Sequence, residues 1–528
     1  MDLGTGAPEV VGEVVDYSSI ASGTLKGLAI VFGITERGEP GVAKLCQSTQ
    51  DYRKYFGGKI AGTQFPYLAQ DALGRGGRFY IIPVGHYTDP TDKNTLEGTK
   101  ATATLTGADS DAGDSAAFEA TSVGPWANDN LVITSAVAGN GDTSTVDLKV
   151  ELAGYSELTI NIKNVAKQPT AQQIDQLNAK LKNFCKLTAV TNAIPTAVAT
   201  FATGARDVED IVTADYVGAP SAGTGIYAAD TIRDAVRISV PEISEGALDG
   251  KLAEYCDSRK DILTVPHTPL DIDADTIIDY REGQGIYNHV AVNSFRAIMY
   301  TGGLVTIDPD TELEVEHSEV MSLLVNYSRK DTTKSSNFAV AGLKRGVIEN
   351  AKRVLRDFGA ASNKTDYDRI YQRGVNAVMI DYDNELGNVV KIDGNRTMWK
   401  QNQLVQKANI AEYLVWLYKM MYPIVKRDGQ YDPNDPTMWS ALYQEIKPIL
   451  KKSKEEMRAV YDWAYVGDQF ANSVSDAKFN NLDDLNNGIY KFRVLVKPIA
   501  AAEWIGFEIG VVNASVDFKD FSGANPTA

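Results

Sequence analysis

Cysteine is scarce in this chain. Cys46, Cys185 and Cys256 are the only ones among 528 residues. Their odd number and wide spacing exclude a disulfide framework and the paired spacing of a zinc site, so they are expected as core thiols. Histidine is nearly as rare: His86, His267, His289 and His317 stand apart, none with a second histidine at ligand spacing. No apolar run approaches the ~18 residues that a membrane span needs. Residues 1–8 lack the basic start and apolar stretch of a secretory signal, and a cytoplasmic protein is expected. Positive charge is in the minority, 52 Lys and Arg against 69 Asp and Glu for a net charge of −17. That is the wrong sign for a chain whose main partner is nucleic acid. No glycine-rich loop closes on Lys-Ser or Lys-Thr, and no Gly-x-Ser-x-Gly elbow occurs. Gly283-Gln284-Gly285 and Gly223-Thr224-Gly225 lack the third glycine of a dinucleotide fingerprint and read as loops.

What is present is the composition of an ordinary globular protein, 44% apolar and 23% charged. The length exceeds what one core supports, so two to four domains are expected. Near the C-terminus, Tyr490, Phe492, Val494 and Val496 fall on one face, with Lys491, Arg493 and Lys497 on the other and Leu495 the apolar exception. This is the alternation of a half-buried strand, which Pro498 ends; Phe507, Ile509 and Val511 then resume a strand pattern. Near the N-terminus, Val10, Val11, Val14 and Val15 form a β-prone segment between glycine-rich and serine-rich stretches. It reads either as a strand on a flexible arm or as the first strand of the domain that follows. Terminal strands leave edges that another chain can pair with.

Between the ends, residues 28–84 read as strand (28–32), helices (50–56 and 67–73) and strand (78–83). After residue 89 the composition shifts to Thr, Ala, Gly and Asp. There residues 146–152 and 158–162 alternate as a hairpin, strands are expected at 101–106 and 131–134, and a helix at 171–184 closes a small β domain. Residues 200–382 suggest an α/β domain, with strands at 236–240, 262–265, 289–292 and 375–380 and helices at 248–258 and 342–358. A long buried helix is expected beyond residue 404, then helices at 436–450 and 454–464.

Three stretches in the first unit carry a family resemblance: Ala29-Ile30-Val31-Phe32-Gly33-Ile34-Thr35-Glu36-Arg37-Gly38, Tyr52-Arg53-Lys54-Tyr55-Phe56-Gly57-Gly58, and Gly76-Gly77-Arg78-Phe79-Tyr80-Ile81-Ile82-Pro83-Val84. With Gly394-Asn395-Arg396-Thr397 and the tail from Asp483 through Ala502-Glu503-Trp504-Ile505, they resemble the contractile tail sheath proteins. Within the β domain Gly124-Pro125-Trp126-Ala127-Asn128 resembles the family's Gly-Trp-Gly-Asn-like entry, from which Ala127 departs, and Thr301 and Gly302 replace the end of an Ala-Met-Tyr-Tyr-Pro-like run. The resemblance implies an α/β and α+β multidomain chain: a mixed-sheet core, an inserted small β domain, and terminal strands available for intersubunit sheet addition. Its expected divisions are a linking arm (1–22), the first part of the core (23–92), the β insert (93–200), an α/β domain (201–380) and a C-terminal sheath domain (381–528).

It implies a non-enzymatic structural subunit, without cofactor, that polymerises helically around an inner tube and contracts to drive the tube through a cell envelope. Implied partners are further copies of the chain, the inner tail tube protein, and baseplate and tail terminator proteins, with no direct nucleic acid and no membrane insertion. The implied place is a virion tail assembled in the host cytoplasm. Subunits of the family are joined by strand exchange, which assigns Val10, Val11, Val14, Val15, Tyr490, Phe492, Val494, Val496, Phe507, Ile509 and Val511 to the linkage. Lys447, Lys451, Lys452, Lys454 and Arg458 concentrate positive charge in the portion nearest the tube, although a solvated helix face is the simpler reading of such a run. Two alternatives stand beside this: an α/β enzyme acting on a small molecule, and a calcium-tuned binding module. The latter rests on Asp271, Asp273, Asp275, Asp279 and Glu282, which have the spacing of a calcium loop except that Thr276 stands where a sharp turn needs glycine. The acidic start of a helix is the favoured reading of that segment.

Overall fold

The computed structural model describes residues 27–308, 312–383, 385, 387–467, 480, 482–503 and 505. Strand β1 (Ala29–Gly33) is buried along its whole length, as a continuous apolar run requires when both faces of a sheet are covered. After β2 (Lys44–Cys46), helix α1 (Thr49–Phe56) starts where the Ser48 hydroxyl accepts the Asp51 amide at 3.1 Å, and buries Tyr52 and Phe56 one turn apart. Helix α2 (Phe65–Gly74) carries Pro66 in its first turn and leads to β3 (Phe79–Pro83). Gly33 is where α2 lies closest to the sheet: a Cβ there would stand 2.1 Å from the Phe65 ring.

The next strands are β4 (Lys100–Thr106), β5 (Ser115–Val123), β6 (Leu131–Val137), β7 (Thr145–Leu152) and β8 (Ile160–Ala166), then helix α3 (Ala171–Leu181), β9 (Cys185–Thr191) and β10 (Ala197–Thr200). They form two antiparallel sheets, β10-β6-β7-β8 and β4-β5-β9, around their own cluster of buried side chains. β4 and β7 alternate buried and exposed positions along their length. The β7–β8 pairing is the hairpin expected from the sequence. Helix α3 begins in a capping box in which Thr170 and Gln173 satisfy each other's backbone amides. The β-rich unit is fastened to the first sheet by Arg37, which is 1% exposed. Its guanidinium lies 5.7, 5.5 and 5.1 Å from the rings of Trp126, Tyr155 and Phe184, and it also donates to the Arg53 and Lys54 carbonyls at the end of α1.

The chain then returns to the first sheet. Helix α4 (Thr213–Val217) precedes β11 (Arg237–Ser239), α5 (Gly246–Arg259), β12 (Leu263–Thr264) and α6 (Ala274–Glu282). The completed sheet has the order β12-β11-β1-β3-β2, parallel except where β2 joins β3. Next come β13 (Met299–Thr301), β14 (Leu304–Ile307), β15 (Glu314–His317), α7 (Val320–Thr333), β16 (Arg353–Val354), α8 (Lys364–Gln372), β17 (Val375–Asp383) and β18 (Gly387–Asp393). They supply the sheets β13-β17-β18 and β15-β14-β16. Helices α9 (Ala408–Asp428) and α10 (Pro436–Glu455), strand β19 (Val460–Val466), helix α11 (Leu482–Asn486) and strand β20 (Arg493–Pro498) finish the described chain.

Three expected elements are replaced. Residues 342–358 form no helix: Gly342 and Asn350 both sit at φ +75°, and the segment instead pairs Val347 with Lys391 and β16 with β14. Residues 289–292 are a loop; His289 packs on the Tyr280 ring at 5.6 Å, and Val290 is 90% exposed. The expected helix at 454–464 is the end of α10 followed by β19. The reversal runs through Arg458 at φ +54°, a left-handed position that glycine usually marks in a sequence.

Candidate assembly surface

β19 and β20 pair antiparallel with each other, and among the described residues each is paired along one edge only. The inward face carries Trp463, Tyr465, Phe492, Val494 and Val496 against Leu417, Ile446 and Leu450 of α9 and α10. Tyr465 stacks on Phe492 at 5.3 Å, and Trp439 on Tyr490 at 5.2 Å with 6° between the planes. Of the expected linkage residues, Val494 and Val496 lie within β20, while Tyr490 and Phe492 precede it on the same packed face. Val10, Val11, Val14, Val15, Phe507, Ile509 and Val511 lie outside the described residues. The outward face exposes Tyr461, Val466 and Leu495.

Beyond β20 the chain is tied back to the core. The Ile499 amide donates to the Ala459 carbonyl at 2.9 Å. Glu503 accepts from Lys407 Nζ at 2.5 Å, from the Tyr371 hydroxyl at 3.0 Å and from Asn395 Nδ2 at 3.4 Å. Burial, with Glu503 beside it, pushes the Tyr371 hydroxyl up to about 12. The elements around Asn395 and Glu503, far apart in sequence, thus meet at one point. They border a cleft of about 670 Å³ that Arg345, Asp368 and Arg458 also line.

The five basic residues do not share one face. Lys447, Lys451 and Lys454 recur at helical spacing on α10, Lys452 lies to one side, and Arg458 lies beyond the helix in the cleft. Lys454 pairs with Asp462 at 3.0 Å, and Lys447 stands 5.4 Å from the Tyr443 ring.

Asp273 caps α6 by accepting the Thr276 amide at 2.8 Å, and Asp275 pairs with Arg369, so the acidic segment is the start of a helix. Among the described residues no group of His, Cys, Asp and Glu is arranged to hold a metal. His267 and His317, unrelated in sequence spacing, meet at a crevice of about 500 Å³ near the carboxyl ends of β11 and β12. Open parallel sheets bind ligands at such crevices, where the strand order reverses. Here Glu242 sits at the start of α2, accepting from Thr63 Oγ1 at 2.7 Å and from the Gln64 and Phe65 amides at 2.6 and 2.8 Å. The chain's own carboxylate already takes the helix amides that an anionic ligand would use.

Glu319, before α7, is 1% exposed and accepts the Gly303 amide at 3.1 Å, and burial pushes its carboxyl up from 4.5 to about 7. A raised folded-state value means stability that is fully present below pH 4.5 and lost as pH rises through 7. Glu319→Gln is therefore expected to stabilise the chain at pH 8 by up to ~3 kcal/mol and to be near neutral at pH 4.5. Denaturant unfolding at the two pH values checks this.

No family model and no curated protein sequence matches the chain. Among solved structures it is similar to the sheath tail protein from Listeria innocua, at 13% identity and a TM-score of 0.58 over 91% of this chain and 98% of that one. It is also similar to the helical sheath of the anti-feeding prophage in its contracted state, at 13% identity and a TM-score of 0.51 over 96% and 99% of the two chains. A third is the PVC sheath complex of an extracellular contractile injection system, also contracted, at 10% identity and a TM-score of 0.52 over 96% and 98%. Over nearly its whole described length, this chain has the fold of the tail sheath proteins.

Proposed function

We propose that the chain is a sheath subunit that polymerises helically around an inner tube and contracts to drive it through a cell envelope. The carrying observation is the match to helical and contracted sheath subunits across 96% of the chain. The two-stranded β19–β20 sheet supports the reading, because among the described residues each strand is paired along one edge only, and a strand from a neighbouring copy could add to the other. The sheet is anchored from behind by α9 and α10, and Glu503 fixes where the chain leaves it. A strand added there moves with a rigid body while the connecting segment hinges, so the linkage survives a large rearrangement of the lattice. On this reading the partners are further copies, a tube protein, and baseplate and tail terminator proteins; the place is a tail assembled in the host cytoplasm. The proposal keeps the expected divisions at residues 22, 92 and 200, with residues 1–22 as the linking arm; a division at 380 would fall inside β17, whose sheet with β13 and β18 runs across it. The chemistry is mechanical and needs no catalytic residue. Electron microscopy of the purified chain tests it: striated tubes or helical polymers are the expected result, and discrete small particles under all salt conditions would defeat it.

Tube contact is assigned to the basic face of α10. Lys451→Glu with Lys454→Glu is expected to leave the unassembled chain folded, since both lysines are exposed and surface pairs such as Lys454–Asp462 contribute at most ~1 kcal/mol. The same variant should fail to sheathe a tube. Co-sedimentation with purified tube checks it, and normal sheathing would remove α10 from the contact.

A further inference from the structure

Where the β-rich unit meets the first sheet, a cleft of about 310 Å³ draws lysines from both walls. Lys44 comes from β2, Lys100 opens β4, Lys182 follows α3 and Lys186 lies on β9. Glu39 is the single carboxylate in the lining. Lys186 is paired with Glu119 at 2.9 Å, but Lys44, Lys100 and Lys182 form no ion pair among the described residues. In a chain of net charge −17, this convergence runs against the average. A lysine past a helix C-terminus has a local use, because it complements the dipole. That accounts for Lys182, and the Tyr55 ring stands 5.9 Å from the Lys44 ammonium, but neither neighbour supplies the negative charge that Lys44 and Lys100, on the facing and adjoining walls, leave unmatched.

Like charges gathered in a concave site repel one another and raise the local concentration of counter-ions. The walls are fastened to each other: Arg37 is clasped by three rings of the β-rich unit, and the Gly38 amide donates to Ser122 Oγ at 3.1 Å. We propose that this cleft binds a multivalent oxyanion, a chain of phosphoryl groups, which bridges the first sheet and the β-rich unit. Lysine ammonium groups, compact point charges with three rotatable donors, suit such a ligand better than a single planar carboxylate, which calls for the arginine fork. Tyr55, in the same lining, also lies 5.4 Å from the Lys54 ammonium, so a fifth cation stands beside the cleft.

Calorimetric titration of the full chain with sodium tripolyphosphate at constant ionic strength tests the site. The expected result is saturable binding of one anion per chain, weakened at least tenfold by Lys100→Glu with Lys182→Glu and unchanged by Lys334→Glu with Lys344→Glu, which lie elsewhere and are exposed. Lys44→Gln, which adds no negative charge, is expected to weaken binding by about threefold or more and serves if the double reversal does not fold. Absence of saturable binding at millimolar tripolyphosphate would overturn the proposal. So would equal weakening by the two double reversals, which would mean only diffuse attraction.

Discussion

Removal of residues 2–17 is expected to leave thermal unfolding of the soluble chain unchanged while preventing its polymerisation. By sequence this segment brings Val10, Val11, Val14 and Val15 to whatever it pairs with. Ordering about eight residues costs ~8–16 kcal/mol of backbone entropy. Burying four valines returns ~6–12 kcal/mol, and ladder hydrogen bonds add about 0.5–1.5 kcal/mol each. One arm is thus near balance alone and becomes decisive when many are engaged along a lattice. Val494→Pro should differ in kind. Val494 faces Tyr465 in the β19–β20 register and packs on the α9–α10 core, so proline there damages the β19–β20 sheet itself. Both assembly and unfolding of the soluble chain should then suffer, by about 3 kcal/mol for the latter. Sheaths of normal length from the truncated chain would show the arm to be dispensable.

The fold was legible wherever burial left a periodic trace. β1 and β3 are buried on both faces and read as continuous apolar runs; β7 alternates; the inward face of β20 falls at every second residue. Helix α7 was not legible, for a physical reason: nearly every position of it is buried, including Ser322, Asn326, Ser328, Lys330 and Asp331. A helix whose polar residues are satisfied internally shows no polar face to alternate with an apolar one. β19 was hidden by an arginine at the left-handed position of the turn between α10 and β19. Of the assembly surface, the apolar face of β20 was readable, but its partner strand and the anchoring of Glu503 by Lys407, Tyr371 and Asn395 were not. Those contacts join residues about a hundred positions apart, and nothing in local periodicity encodes them.

The buried polar residues of α7 lead to the largest expected effect on stability. Arg237 of β11, Lys330 and Asp331 of α7 and Glu412 of α9 are each at most 3% exposed. Arg237 pairs with Asp331 at 2.6 Å and with Glu412; Lys330 pairs with Glu412 at 2.5 Å and Asp331 at 2.9 Å. The Arg237 guanidinium also lies 4.1 Å from the Tyr327 ring. Two cations and two anions balance, so the cluster is neutral as a unit and ties the first sheet to the helix that supports β19 and β20. Burial alone would favour the neutral acid, but Arg237 and Lys330 hold the Asp331 carboxyl below its ordinary 3.8. Its stabilising contribution is therefore present above pH 3.8 and lost only as pH falls further. Arg237→Met leaves two buried carboxylates against one ammonium and should cost ~3–5 kcal/mol at pH 7. Adding Asp331→Leu restores neutrality and leaves the Lys330–Glu412 pair intact. The double variant should therefore be more stable than the sum of the two single changes predicts, by at least ~1 kcal/mol. Urea unfolding of the four chains closes the cycle. A loss below ~1 kcal/mol for Arg237→Met, or strict additivity, would mean that water or a rearranged side chain compensates the charge. In that case the cluster would not be what couples the first sheet to α9, and the rigid mounting assumed for the β19–β20 edge would have to come from apolar packing alone.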